Sequence, residues 1–261
     1  MAILIEGNKV KVLSGVVEKE VGLSDFLQEL SSNIPLTFPI LPANCRGLVT
    51  SENSSIYIIE QSPRLQTIAY RASPSFNFNV DVYLPWTYFV VDIQNKPMCL
   101  QRNTGGFFAT KRITSTESEV GWLAIPNLEY HTARHYGVMC RGDITMKDGL
   151  LLPEFVDEFI CQIWGSFFNN DYFHPESQGI SSILGIANHW TQAEYDTYCE
   201  SRFSGANLAR AKTSFVELPN AKYFLAWAKY SKENTLAQFM EELSLHNSSK
   251  YSDILSGLGV M

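Results

Sequence analysis

The sequence predicts an α+β protein: an antiparallel β-meander flanked by helices, followed by a helical extension. Three observations predict it. Phe76, Phe78, Val80, Val82 and Leu84 alternate with Ser75, Asn77, Asn79, Asp81 and Tyr83, the period of a half-buried strand. Residues 153–167 carry apolar side chains at helical spacing. From Thr191 onward the chain reads as helix after helix.

The elements follow in order. Residues 3–5 and 10–13 read as two short strands about a Gly7-Asn8 turn. Leu23, Phe26, Leu27 and Leu30 then share one helical face, in a helix that must end before Pro35. Residues 56–59, 67–71, 76–84 and 88–93 are β-rich runs separated by turn residues. Short connections between consecutive strands imply antiparallel pairing. Residues 101–150 read as irregular, with Gly105-Gly106 as a turn. Pro153 suits the first turn of the next helix, where Glu154, Asp157 and Glu158 complement its dipole. Val156, Ile160, Ile163 and Phe167 line its core face, widened by Phe155 and Phe159. Thr191-x-x-Glu194 is a capping box. Residues 219–231 form a further helix, and Leu236, Phe239, Met240 and Leu243 mark another. The tail after Leu245 reads as frayed.

Composition narrows the function. The chain of 261 residues is 45% hydrophobic, enough for a sizeable core in one large domain with a helical appendage. A net charge of −7 without a basic run argues against nucleic acid as ligand. The first residues lack a basic leader and a long apolar stretch, and no window is long and apolar enough to span a bilayer. The expectation is a cytoplasmic protein. Five widely spaced cysteines, with no C-x-x-C pair, predict reduced thiols and no disulfide framework.

Several sites are absent as written: no P-loop, no G-x-S-x-G and no H-E-x-x-H occurs. His131, His135 and Cys140 have zinc-ligating side chains, but their spacing is looser than that of paired zinc ligands, so no metal and no organic cofactor is expected. Cys45, Cys99, Cys161 and Cys199 read as small core hydrophobes, Cys161 above all because it follows Ile160 in an amphipathic helix. Cys140 stands apart, in Gly137-Val138-Met139-Cys140-Arg141-Gly142, where Arg141 can favour the thiolate. Its bland reading is a short strand with Val138 and Cys140 pointing inward.

The order helix, meander, Pro126-Asn127, Gly137-x-x-Cys140, helix resembles the ubiquitin-conjugating enzyme family. That family carries His-Pro-Asn, a short gap and Gly-x-Ile-Cys-Leu. The nearer resemblance is to divergent prokaryotic members such as the plasmid-borne PRTRC system protein B group. It is carried by Leu84-Pro85-Trp86-x-x-Phe89-Val90-Val91-Asp92-Ile93, by the Pro-Asn with its later Gly-x-x-Cys-x-Gly, and by Trp164-Gly165-Ser166-Phe167-Phe168 running to His174. It spans residues 80–176. This sequence departs from the pattern at Ile125, where the family has histidine, at Arg141, and in a longer gap from Asn127 to Cys140.

The resemblance implies a ubiquitin-conjugating-enzyme-like core over residues 36–185, a strand–helix unit over 1–35 and a helical extension over 186–261. It implies thioester transfer through Cys140, with Asn127 as oxyanion donor and His174 as a further catalytic group. His131, His135 and Arg141 are the candidate binding residues. The implied partners are a ubiquitin-like protein, its activating enzyme, and a protein met by the helical extension. A second reading stands beside it: a non-catalytic binding or assembly protein, phage- or plasmid-encoded, that keeps the fold.

Overall fold

The computed structural model describes residues 2–6, 9–14, 17–26, 41–50, 54–74, 76–95, 98–123, 125, 127–140, 144, 146–147, 149–169, 190–217 and 219–259. It is an α+β structure built on two β-sheets, antiparallel except where β14 joins β6, with helices packed around them.

The large sheet comprises β1 (Ala2–Glu6), β2 (Lys9–Ser14), β3 (Val17–Gly22), β4 (Cys45–Thr50), β5 (Ser54–Gln61), β8 (Trp86–Asn95), β10 (Gly105–Ala109), β12 (Leu128–His131) and β13 (Tyr136–Met139). They lie in the order β12-β13-β10-β8-β5-β4-β1-β2-β3. β9 (Met98–Leu100) pairs with β8; β11 (Glu119–Trp122) pairs with β10 and with β15 (His246–Lys250). The first two strands form the expected hairpin, and β1 hydrogen-bonds to β4, making the N-terminal strands continuous with the central sheet. Residues 23–26 are helical; the rest of that expected helix lies outside the described residues.

Between β5 and β8 the chain leaves the sheet as a long hairpin, β6 (Arg64–Ser73) and β7 (Phe76–Leu84). With β14 (Phe167–Phe168) it forms a second, three-stranded sheet. The alternation of β7 holds as predicted: Phe76, Phe78, Val80, Val82 and Leu84 are buried, and Asn77, Asn79 and Asp81 are exposed. Side chains of a strand point alternately to opposite faces, so this pattern turns the hairpin's apolar side into the main core, where Phe76 and Phe78 meet the Phe203 ring.

Helix α1 (Leu152–Gly165) covers the same core with Phe155, Val156, Phe159, Ile160 and Ile163 buried. The Leu151 N–H donates to the Glu154 carboxylate at 2.9 Å, satisfying one amide at the start of the helix. The helix ends two residues earlier than its apolar spacing suggests. Ser166 leaves helical geometry, and Phe167 enters β14 with its ring 46% exposed rather than on the buried face. The expected burial of Phe167 is therefore corrected.

Four helices follow: α2 (Gln192–Arg202), α3 (Gly205–Glu217), α4 (Pro219–Glu233) and α5 (Leu236–Glu242). The Thr191 capping box forms, with Thr191 N–H donating to Glu194 at 2.9 Å and Glu194 N–H donating to Thr191 Oγ1 at 3.3 Å. The helices dock on the outer edge of β7. Its Tyr83 N–H donates to Ser231 Oγ at 2.9 Å, its Asn79 carbonyl accepts from Arg202 at 2.5 Å, and Tyr83 OH donates to the Asn234 carbonyl at 3.1 Å. The Phe224 ring stacks on Tyr70 at 4.6 Å. An open strand edge invites pairing with another chain, and these contacts occupy it.

Two expectations are overturned. Residues 101–150 are irregular only in part: they hold β10 to β13. The sequence signal was weak because these strands are short and rich in glycine. Gly105 and Gly106 open β10 opposite Val138 and Gly137. Nor is the C-terminal segment frayed. Residues 246–250 pair with β11, and α6 (Tyr251–Gly257) buries Tyr251, Ile254 and Leu255 on the face of the large sheet away from the β6–β7 hairpin. There it covers Ile58, Tyr88, Val90, Phe107 and Val120.

The large sheet is thus covered on both faces. Along β8, Phe89, Val91 and Ile93 enter the main core, while Tyr88 and Val90 enter the smaller core under α6. The buried Glu60 carboxylate pins the flank: Arg46 reaches it at 2.5 Å, Arg112 at 2.9 Å, and Tyr88 OH donates to it at 3.1 Å. None of the helices is long and apolar enough to cross a membrane among the described residues.

Two predictions follow from this packing. A side-chain methyl at Gly137 would overlap the Trp122 ring. Gly137→Ala should destabilise by about 1–3 kcal/mol, the usual cost of overpacking, and an unchanged urea midpoint would contradict the close packing. Removing residues 246–261 should bare the apolar back face, lowering the melting temperature and raising dye binding by exposed apolar surface; unaltered melting and dye binding would show that α6 is dispensable.

Candidate functional site

The β12–β13 hairpin decides how Asn127 and Cys140 are related. Residues 128–139 fold back on themselves, pairing Leu128 with Met139 and His131 with Tyr136. The long stretch between the two residues therefore projects as a hairpin and leaves them together at its open end. The Cys140 N–H donates to the Asn127 carbonyl at 2.7 Å. Asn127 has φ of +64°, a left-handed conformation that asparagine tolerates better than most residues.

Both residues line a cleft of about 600 Å³ between the hairpin, α1 and β14. Its floor is apolar, from Leu128, Met139, Ile144 and Ile163. Its polar lining includes Gln162, Ser166 and Asn169. The Asn169 N–H donates to Asn127 Oδ1 at 3.2 Å. That bond engages the carboxamide oxygen and leaves its NH2 as the donor end. Cys140 is half-buried, just past the end of β13. It is therefore not an inward-pointing residue of that strand.

The other predicted site residues are placed differently. His131 and His135 sit at the turn end of the hairpin, His135 with φ of +59°. Four strand residues separate that end from Cys140, roughly 13 Å at about 3.3 Å per residue. The hairpin brings Asn127 to the thiol and carries the two histidines away from it. His174 and Arg141 lie outside the described residues. Among the described residues, no three His, Cys, Asp or Glu side chains come together to hold a metal ion.

The cleft also holds residues that sequence reasoning missed, namely Cys161, Arg71 and Asn169. Cys161 is exposed rather than in the core. It follows Asp157 by four residues and shares that residue's outward side of α1, a spacing legible in the sequence but overridden by the apolar neighbour Ile160. Arg71 ends the outward series Leu65, Thr67, Ala69, Arg71 of β6, and its guanidinium lies 4.6 Å from the Phe167 ring centroid. No local sequence signal pairs Arg71 with Phe167, because parallel pairing of β14 with β6 brings them together.

The remaining thiols differ in character. Cys45 Sγ donates to the Gly47 carbonyl at 3.3 Å, and burial pushes its pKa up to about 11. Burial likewise raises Cys199 to about 11. A raised thiol pKa means less thiolate at neutral pH, hence less nucleophilicity. Comparison with known protein families, with curated proteins and with solved structures finds no match.

The thiol environments predict an order of reaction. With limiting iodoacetamide at pH 8, Cys140 and Cys161 should be alkylated well before Cys45 and Cys199, as read by peptide mapping. Equal labelling of Cys45 and Cys140 in the folded protein would contradict the raised pKa of Cys45.

Proposed function

We propose that this protein is a divergent ubiquitin-conjugating-enzyme-like transferase that carries the C-terminus of a ubiquitin-like protein as a thioester on Cys140. The observation that carries this reading is the juxtaposition of Cys140 and Asn127 at the rim of one cleft, joined by a 2.7 Å backbone hydrogen bond. The long gap between them no longer argues against the pair. A helix follows the cysteine, as in the family, and β-strands precede it.

The chemistry runs in two transfers. The Cys140 thiol loses its proton as its sulfur attacks the carbonyl carbon of the activating enzyme's thioester; the new S–C bond forms, the old C–S bond breaks, and the departing thiolate takes up that proton. An acceptor amine then attacks the same carbonyl; the C–S bond breaks, an amide forms, and the proton lost by the amine passes to the Cys140 sulfur. Each attack places negative charge on the carbonyl oxygen. The Asn127 NH2, oriented by the Asn169 N–H on its oxygen, is the group suited to donate to that oxyanion. In this reading the activating enzyme and the carried protein are the partners, and the docked helices α2 to α5 offer a surface to a further protein.

A second reading, the non-catalytic assembly protein, is favoured by one observation. Among the described residues, no carboxylate or imidazole lines the cleft, so none stands there as a general base to draw the proton from the amine as it attacks.

The test is mass spectrometry of the intact protein after incubation with a cognate activating enzyme, its ubiquitin-like protein and ATP. The expected product is a reducible adduct on Cys140, converted to a stable oxyester or lost in Cys140→Ser and absent in Cys140→Ala, with melting unchanged. No adduct on Cys140 in the folded protein would leave the assembly reading standing.

A further inference from the structure

The cleft is neutral except at one end. Of its described lining residues, only Arg71 carries a fixed charge. Arg71 is exposed and makes no salt bridge among the described residues, unlike Arg46 and Arg112, which share Glu60. Its guanidinium carbon lies over the Phe167 ring, 4.6 Å from the centroid. A guanidinium held over an aromatic ring keeps N–H donors that can grip a carboxylate at two points.

Arg71 is connected to the thiol by a continuous rim. Phe167 holds the guanidinium, Asn169 follows two residues later, its N–H bonds Asn127, and the Asn127 carbonyl bonds the Cys140 N–H. Among the described residues, one cation thus shares the cleft with Cys140, in a chain of net charge −7. An unpaired guanidinium in such a setting attracts an anionic ligand group.

We propose that the cleft takes an extended peptide with a carboxylate side chain a few residues before its acyl carbon, the carboxylate on Arg71 and the acyl carbon at Cys140. The assignment rests on the thioester-transfer reading for the reaction, and it names the chemistry of the carried tail. Charge complementarity selects that tail: an acidic residue is favoured, a neutral one is accepted less well, and a basic one is disfavoured.

The experiment uses the full chain and short Xaa-Ala-Ala-Gly peptides as benzyl thioesters, with Glu, Gln or Lys at Xaa. Loading is followed by mass spectrometry, with peptide mapping to separate adducts on Cys140 from those on Cys161. The Glu peptide should load Cys140 about three- to fivefold faster than the Gln peptide, within reach of a solvent-accessible ion pair. Arg71→Gln should erase the difference, and Arg71→Glu should favour the Lys peptide. Equal loading of all three on wild-type Cys140 would overturn the role of Arg71 and leave the thioester reading intact. If none loads, fluorescence anisotropy of labelled peptide amides on Cys140→Ala separates the two ideas. A Glu preference that vanishes in Arg71→Gln upholds the cleft assignment while the thioester reading fails, and the absence of any preference overturns the assignment as well.

Discussion

The site depends on one close approach. β10 and β13 run side by side with Gly105 facing Val138 and Gly106 facing Gly137, and the Trp122 ring lies against Gly137. A side chain at Gly105 would strike the Gly137 carbonyl, and one at Gly137 would strike the indole. Only glycine permits the two backbones and the ring to pack at this spacing. That contact seats the β12–β13 hairpin on the sheet, with Met139 N–H donating to the Thr104 carbonyl at 2.9 Å. The seated hairpin brings Asn127 to Cys140.

The sheet beneath gains its rigidity from being covered twice. The main core, with α1 against Phe89, covers one face, and α6 covers the other. A strand such as β8, buried on both sides, cannot shift by one residue without exchanging two packed sets of side chains. The buried Glu60 adds a specific constraint. Its two arginines and Tyr88 hold β4, β5, β8 and the segment after β10 at one point. Removing one partner of such a group strands charge away from water, which typically costs about 3–5 kcal/mol.

The cleft forms where these layers end. α1 stops at Gly165, and the chain turns at once into β14, whose two residues reach β6. That turn exposes Phe167, supplies Asn169 to hold Asn127, and sets Arg71 at the rim. The shortened helix therefore serves the cleft even though the apolar spacing argues for its continuation.

Much of the fold was legible in the sequence. The alternation of 76–84 and the 3.6 period of 153–163 state which faces are buried, because each periodicity is a local property of the backbone. The capping box at Thr191 marks a helix start for the same reason. The glycine-rich strands of 101–139 were not legible, since small residues carry no periodic signal. The strand and helix of 246–257 were missed because their burial depends on a sheet face assembled from distant segments. In the candidate site, Cys140 and Asn127 stood out by motif, while their adjacency, the removal of His131 and His135 to the far end of the hairpin, and the meeting of Arg71 with Phe167 did not. The sequence by itself determined local periodicity, turn chemistry and the residue types able to react. Only the tertiary structure decided which of them meet, because long-range pairing of β10 with β13 and of β14 with β6 is set by packing between segments far apart in the chain.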